Sequence, residues 1–119
     1  MTLRETQSTF AQCIARLILH VDEMGLAVTL GEGKVYERRR LRDGTEAMDG
    51  VHMQGSVHYV GLAMDLNLFK NGHYLEDGSL PEWLALGEWW EKQHPLARWG
   101  GRFGSKDSNH FSFTNGGKA

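Results

Sequence analysis

The chain has 119 residues, of which 40% are hydrophobic and 24% charged, with a net charge of −2 at neutral pH and a pI near 6.3. This length and composition fit one folded, soluble domain spanning residues 1–119 rather than a disordered chain. The acidic balance excludes a strong general attraction to nucleic acid, the single Cys13 excludes an internal disulfide, and no apolar run reaches the length of a membrane span.

The opening stretch, MTLRETQSTF, lacks the apolar core of a secretory signal, so synthesis in a cytoplasm is expected. Over residues 7–24 the apolar side chains Phe10, Ile14, Leu17, Ile18, Val21 and Met24 recur at spacings of three and four, which predicts an amphipathic helix. Ser8 or Thr6 is placed to cap its start and Gly25 its end. His20 falls beside the stripe and reads as a helix-surface residue. LAVTL at 26–30 then reads as a short strand.

Residues 31–56 change character: GEGKVYERRRLRDGTEAMDGVHMQGS carries many charges, five glycines and little periodicity. A loop is expected, and loops this long are usually functional or mobile. The arginine run 38–40 reads as a solvated charge cluster. His52 has no spacing argument of its own.

Beyond it, GLAMDLNLF at 61–69 alternates. Leu62, Met64, Leu66 and Leu68 share one face of a predicted strand, and Ala63, Asp65 and Asn67 share the other. Asn71-Gly72 is a strong two-residue hairpin signal, with His73 at an exposed strand position after it. A second helix is predicted over SLPEWLALGEWWEK, with Pro81 in its first turn and His94-Pro95 ending it. Trp83, Leu84, Leu86, Trp89 and Trp90 would form its core-facing side. In the last segment, the glycines of WGGRFGSKD predict a loop. Phe111 and Phe113 then alternate with His110 and Ser112.

Two polar sites therefore interrupt a predicted core: His58 with Asp65, and Asp107 with His110. A buried polar group costs free energy unless it is partnered. Two imidazoles and a carboxylate suit a catalytic zinc site, where three protein ligands leave one position open and a nearby acid can act as general base. The small Ala63 would let a metal and a loop approach the strand closely. Spacing alone does not distinguish this arrangement from a chance grouping of His and Asp.

SVHYVGLAMDL at 56–66 resembles the SxHxxGxAxDL motif of the M15 zinc peptidases, the group of D-Ala-D-Ala carboxypeptidases and phage L-alanyl-D-glutamate endopeptidases. The later stretch from Trp99 to Phe111, with Asp107 three residues before His110, resembles that family's second motif. The resemblance implies Zn2+ held by His58, Asp65 and His110, with Asp107 as the general base. DxxHF, with aspartate ahead of the histidine, is more similar to the endopeptidase branch. TLGEG at 29–33 and the DLNLF hairpin resemble compact prophage-encoded members. Many relatives carry a YR-type segment whose arginine meets a substrate carboxylate; in GKVYERRR at 33–40 that assignment falls to Arg38. Ser56, the motif's first residue, is grouped with the substrate-binding residues and is expected to support the site through hydrogen bonding.

The expected fold is α+β, hedgehog/DD-peptidase-like. A small antiparallel sheet would bear the zinc ligands, with helices 7–24 and 81–92 packed against it. The expected activity is zinc-dependent hydrolysis of a peptidoglycan stem-peptide bond, between L-Ala and D-Glu, by a monomeric phage or prophage lysin. Peptidoglycan stem peptides are the expected partners, with no nucleic acid and no membrane insertion. The site of action would be the cell wall, after release or from a virion. The alternatives are a D,D-carboxypeptidase on the same scaffold, a zinc-stabilised binding module without catalysis, and a nucleic-acid binder using the arginine run.

Overall fold

A computed structural model describes residues 1–34 and 56–119, and by backbone alone 38–40 and 46–48. Helix α1 spans Leu3–Glu23 and buries Phe10, Cys13, Ile14, Leu17 and Val21. It starts earlier than the apolar periodicity predicts. Thr2 caps it, its hydroxyl accepting the amide of Glu5 at 3.2 Å, and the added first turn is exposed and contributes no apolar stripe. Gly25, at φ +76°, ends the helix as expected.

Strand β1 (Ala27–Leu30) follows, then β2 (Arg38–Arg40) and β3 (Glu46–Met48), which pair with each other. The expected unstructured loop over 31–56 therefore contains a short antiparallel ladder, with Arg38 opposite Met48. Alternation could not signal strands three residues long and dominated by charges. The side chain of Arg38 and all of His52 lie outside the described residues.

Strand β4 (Ala63–Lys70) is the spine of a five-stranded antiparallel sheet in the order β1-β4-β7-β6. Beside it lies the short β5 (His73–Tyr74), which pairs with the end of β4. Asn71 and Gly72 join these two strands with φ of 52° and 79°, the paired positive angles of a tight hairpin turn. Helix α2 covers Pro81–Glu91 with Pro81 in its first turn. It buries Trp83, Leu86 and Trp90, whereas Leu84, expected in the core, is 43% exposed. Strand β6 (Ala97–Trp99), too short to read from the sequence, and β7 (His110–Phe113) complete the sheet.

Both helices pack against the face that Phe111 and Phe113 present. Phe10 of α1 meets Phe113 edge-on at 5.2 Å and Trp90 of α2 at 5.9 Å, and Trp90 meets Phe111 at 6.1 Å. Edge-to-face packing of this kind adds to the stabilisation from area burial. The buried Trp90 indole N–H is satisfied by the carbonyls of Arg98 and Ser112, which ties α2 to the sheet edge. His20 stacks flat on Trp89 at 4.2 Å, joining the two helices at their surface.

Candidate metal centre

Alternation along β7 sends His110 to the sheet face opposite Phe111, away from the helices. On that face, register does the positioning: Asp65 of β4 stands directly opposite His110 of β7. Residues paired in this way project side by side. His58 comes from the 3-10 turn Val57–Val60 just ahead of β4. Ser56 caps that turn, its hydroxyl accepting the amide of His58 at 3.2 Å, and Gly61 closes it at φ 68°. The first motif is thus a cap, a histidine-bearing turn, a left-handed glycine and a strand.

These elements bring His58, Asp65 and His110 together, with one potential ligand atom from each lying within 4.8 Å of the others. Asp65 Oδ1 is 3.5 Å from His58 Nε2 and 3.4 Å from His110 Nδ1. Those separations are longer than an ordinary N–H···O hydrogen bond. They match the edges of a tetrahedron around an ion with bonds of about 2.0–2.1 Å. Asp65 Oδ1 is buried without a hydrogen-bond partner, as a ligand atom aimed at an ion would be. The donor set and its geometry therefore fit a divalent metal.

A backbone strap holds two of these groups from behind. The carbonyl of Gly33 lies 2.8 Å from His58 Nδ1, leaving Nε2 to face Asp65. The amide of Asp65 donates to the Glu32 carbonyl at 2.8 Å, and the amide of Gly31 donates to the Asp65 carbonyl at 2.7 Å. TLGEG at 29–33 is a recognisable stretch of the sequence, but apart from its glycines nothing in it announces this role. Glycine supplied a signal, because a Cβ at Gly31 would come within 3.1 Å of the Asp65 Cβ and carbonyl oxygen.

Asp107 lies in the loop before β7. Its amide donates to the Gly100 carbonyl at 2.9 Å, and its own carbonyl accepts from the amide of His110 at 3.1 Å. This turn resolves the three-residue spacing. His110 begins the strand, while the half-exposed Asp107 carboxylate curls back to 3.9 Å from His110 Nδ1. The Trp99 indole N–H, donating to the Ser108 carbonyl at 2.7 Å, and the Ser108 hydroxyl, donating to the Gly78 carbonyl at 2.8 Å, anchor the loop.

The protein's own charges separate the two carboxylates. Burial pushes Asp65 up, but the imidazoles of His110 and His58 outweigh it and hold the carboxyl at about 2. For His58, burial pulls the pKa down, and the Asp65 carboxylate and Gly33 carbonyl outweigh that, so the net shift is upward. Asp107 is raised, first by burial and then by the negative charge of Asp65. One acid is thus a firm anion suited to ligation, and the other is a more basic carboxylate suited to taking a proton. A groove of about 630 Å³ lies between residues 74–84 and 99–109, with Asp107 in its lining but none of His58, Asp65 and His110.

The protein is a mixed sheet-and-helix domain whose His-Asp-His cluster could hold a metal ion. The sequence model of the M15-type D-alanyl-D-alanine carboxypeptidases matches residues 49–113, more than half of the chain, and the protein belongs to that family. No curated protein matches it. The family match covers all three cluster residues and Asp107 but begins after the Gly31–Gly33 strap. Among the described residues, no helix is long and apolar enough to cross a membrane.

Proposed function

We propose that the protein is a zinc-dependent peptidoglycan endopeptidase that cuts the L-Ala–D-Glu bond of the stem peptide and serves as a phage or prophage lysin. His58, Asp65 and His110 would hold the metal. Bound there, the ion supplies Lewis-acid polarisation of a carbonyl and acidification of water. The chain's own part is positional and acid–base. Asp107, raised in pKa and half-exposed beside the cluster, accepts a proton from the attacking water and delivers it to the leaving amine. Ser56 holds the turn that presents His58. Arg38 is assigned to a substrate carboxylate on the resemblance alone.

The observation that carries the endopeptidase reading is the groove that has Asp107 in its lining. A base that protonates the leaving nitrogen must lie within hydrogen-bond reach of it. The groove beside that base then receives the part of the substrate attached to that nitrogen, and its volume accommodates several residues. A carboxypeptidase releases one terminal residue and has no use for such room. The description of the matching family favours that second reading, release of terminal D-Ala on the same scaffold.

Mass spectrometry of muropeptides after digestion separates the two. New peptides beginning with D-Glu support the endopeptidase. Release of D-Ala alone, with the L-Ala–D-Glu bond intact, assigns the carboxypeptidase instead.

A further inference from the structure

The groove beside Asp107 carries charges that the catalytic reading does not use. Lys106 and Glu76 both line it, both are exposed, and among the described residues neither has a hydrogen bond or ion pair. They come from different walls, Glu76 from the segment leading into α2 and Lys106 from the loop that carries Asp107. The other cation of the groove is already committed: Arg102 pairs with Glu91 at 3.1 Å and lies over the Trp99 ring. Tyr74 and Leu84, 46% and 43% exposed, add an apolar surface to the same groove. Leu84 stands out because its neighbours on the helix, Trp83 and Leu86, are buried.

A groove of about 630 Å³ with an apolar wall and, besides Asp107, one free charge of each sign has the features of a subsite for a small zwitterionic peptide. We propose that it binds the substrate arm attached to the leaving nitrogen, and that Lys106 takes a free carboxylate on that arm. The inference rests on the peptidase reading for its direction: Asp107, next to Lys106 in the chain, serves the leaving nitrogen. On that side of an L-Ala–D-Glu bond the first residue, D-Glu, carries a free α-carboxylate, and a diaminopimelate beyond it carries an ammonium group for Glu76. Lys106 thereby discriminates a stem peptide with free D-Glu from one whose α-carboxylate is amidated.

The test uses a probe without the scissile bond, so that binding is read apart from turnover. The γ-linked D-Glu–diaminopimelate dipeptide and its α-carboxamide counterpart are titrated into the zinc-loaded full chain, and affinities are taken from amide chemical shifts. The wild type should prefer the free acid by about two- to five-fold, the range of a solvent-exposed ion pair. Shifts should concentrate in residues 74–84 and 99–109. Lys106→Gln, at an exposed position, should keep the melting temperature and abolish the preference. Equal affinity of the wild type for both probes, failure of the free acid to bind, or a preference that survives Lys106→Gln overturns the subsite. Hydrolysis of an L-Ala–D-Glu-containing tetrapeptide by the wild type is scored separately. Cleavage without discrimination removes the subsite alone, and discrimination without cleavage removes the peptidase reading alone.

Discussion

His58 Nδ1 lies 2.8 Å from the carbonyl oxygen of Gly33, a residue 25 positions earlier in the chain. A carbonyl can only accept, so the imidazole places its proton on Nδ1 and presents the Nε2 lone pair to the cluster. The same strap bonds both backbone groups of Asp65, so one short segment fixes the orientation of two proposed ligands.

This makes Gly31 a sensitive position. A Cβ there would lie 3.1 Å from both the Cβ and the carbonyl oxygen of Asp65, and a branched side chain would crowd it further. Gly31→Val should weaken zinc binding by about 10- to 100-fold, as loss of outer-shell support does, measured by competition with a chromogenic chelator. Gly104→Ala, where a Cβ meets nothing within 4 Å, should leave the affinity unchanged. Equal affinities for the two variants would show that the strap does not orient the ligands.

Metal content is the next expectation. The purified chain should bind about one zinc, and chelation should lower its melting temperature, because an ion that binds only the folded state stabilises it. His58→Ala with His110→Ala should abolish stoichiometric binding. Full zinc occupancy in that double variant would remove the assignment.

The pH dependence has a definite sign. In chelator-treated protein, His58 has a folded pKa above its ordinary 6.5. Its contribution to stability is full below that value and is lost as pH rises through the folded pKa. Asp65 sits at about 2 against 3.8, so its contribution is present above about 4 and is lost as pH falls toward 2. The stability added by this pair should therefore peak between about pH 4 and 6.5. A His58→Gln variant should differ most from wild type in that window, as read from melting temperatures across pH. Zinc needs the neutral imidazole, so its affinity should climb with pH above that window. An affinity constant from pH 6 to 8 would contradict this.

Much of this architecture is legible in the sequence because its signals are local. The three-and-four spacing in α1 and the two positive angles at Asn71 and Gly72 need no distant partner. What was hidden depends on partners far along the chain. Strand β6 is three residues long and exists through its pairing with β7. Leu84 counts as core by composition, yet the groove leaves it exposed. The cluster residues carry side chains that a motif can register. The Gly33 carbonyl does not, since any residue has one, and only the packing of residues 31–33 against Asp65 aims it at His58.

The final prediction separates ligand from base. Asp65 and Asp107 are both carboxylates near His110, but Asp65 Oδ1 is buried 3.4 Å from the imidazole, whereas the Asp107 carboxylate is half-exposed at 3.9 Å. Asparagine keeps the shape of aspartate and removes its basicity and charge. Asp65→Asn deletes an anionic ligand, so zinc affinity, metal-dependent stabilisation and hydrolysis should fall together. Asp107→Asn removes only the proton acceptor. Zinc should stay bound, the melting temperature should hold, and turnover should drop by about 100- to 10,000-fold, the usual contribution of general acid–base catalysis. The experiment reads zinc content, melting temperature and muropeptide release for both variants side by side. Near-normal turnover in Asp107→Asn would place the base elsewhere. Loss of zinc from Asp107→Asn to the same degree as from Asp65→Asn would make Asp107 a ligand and reopen the assignment of Asp65.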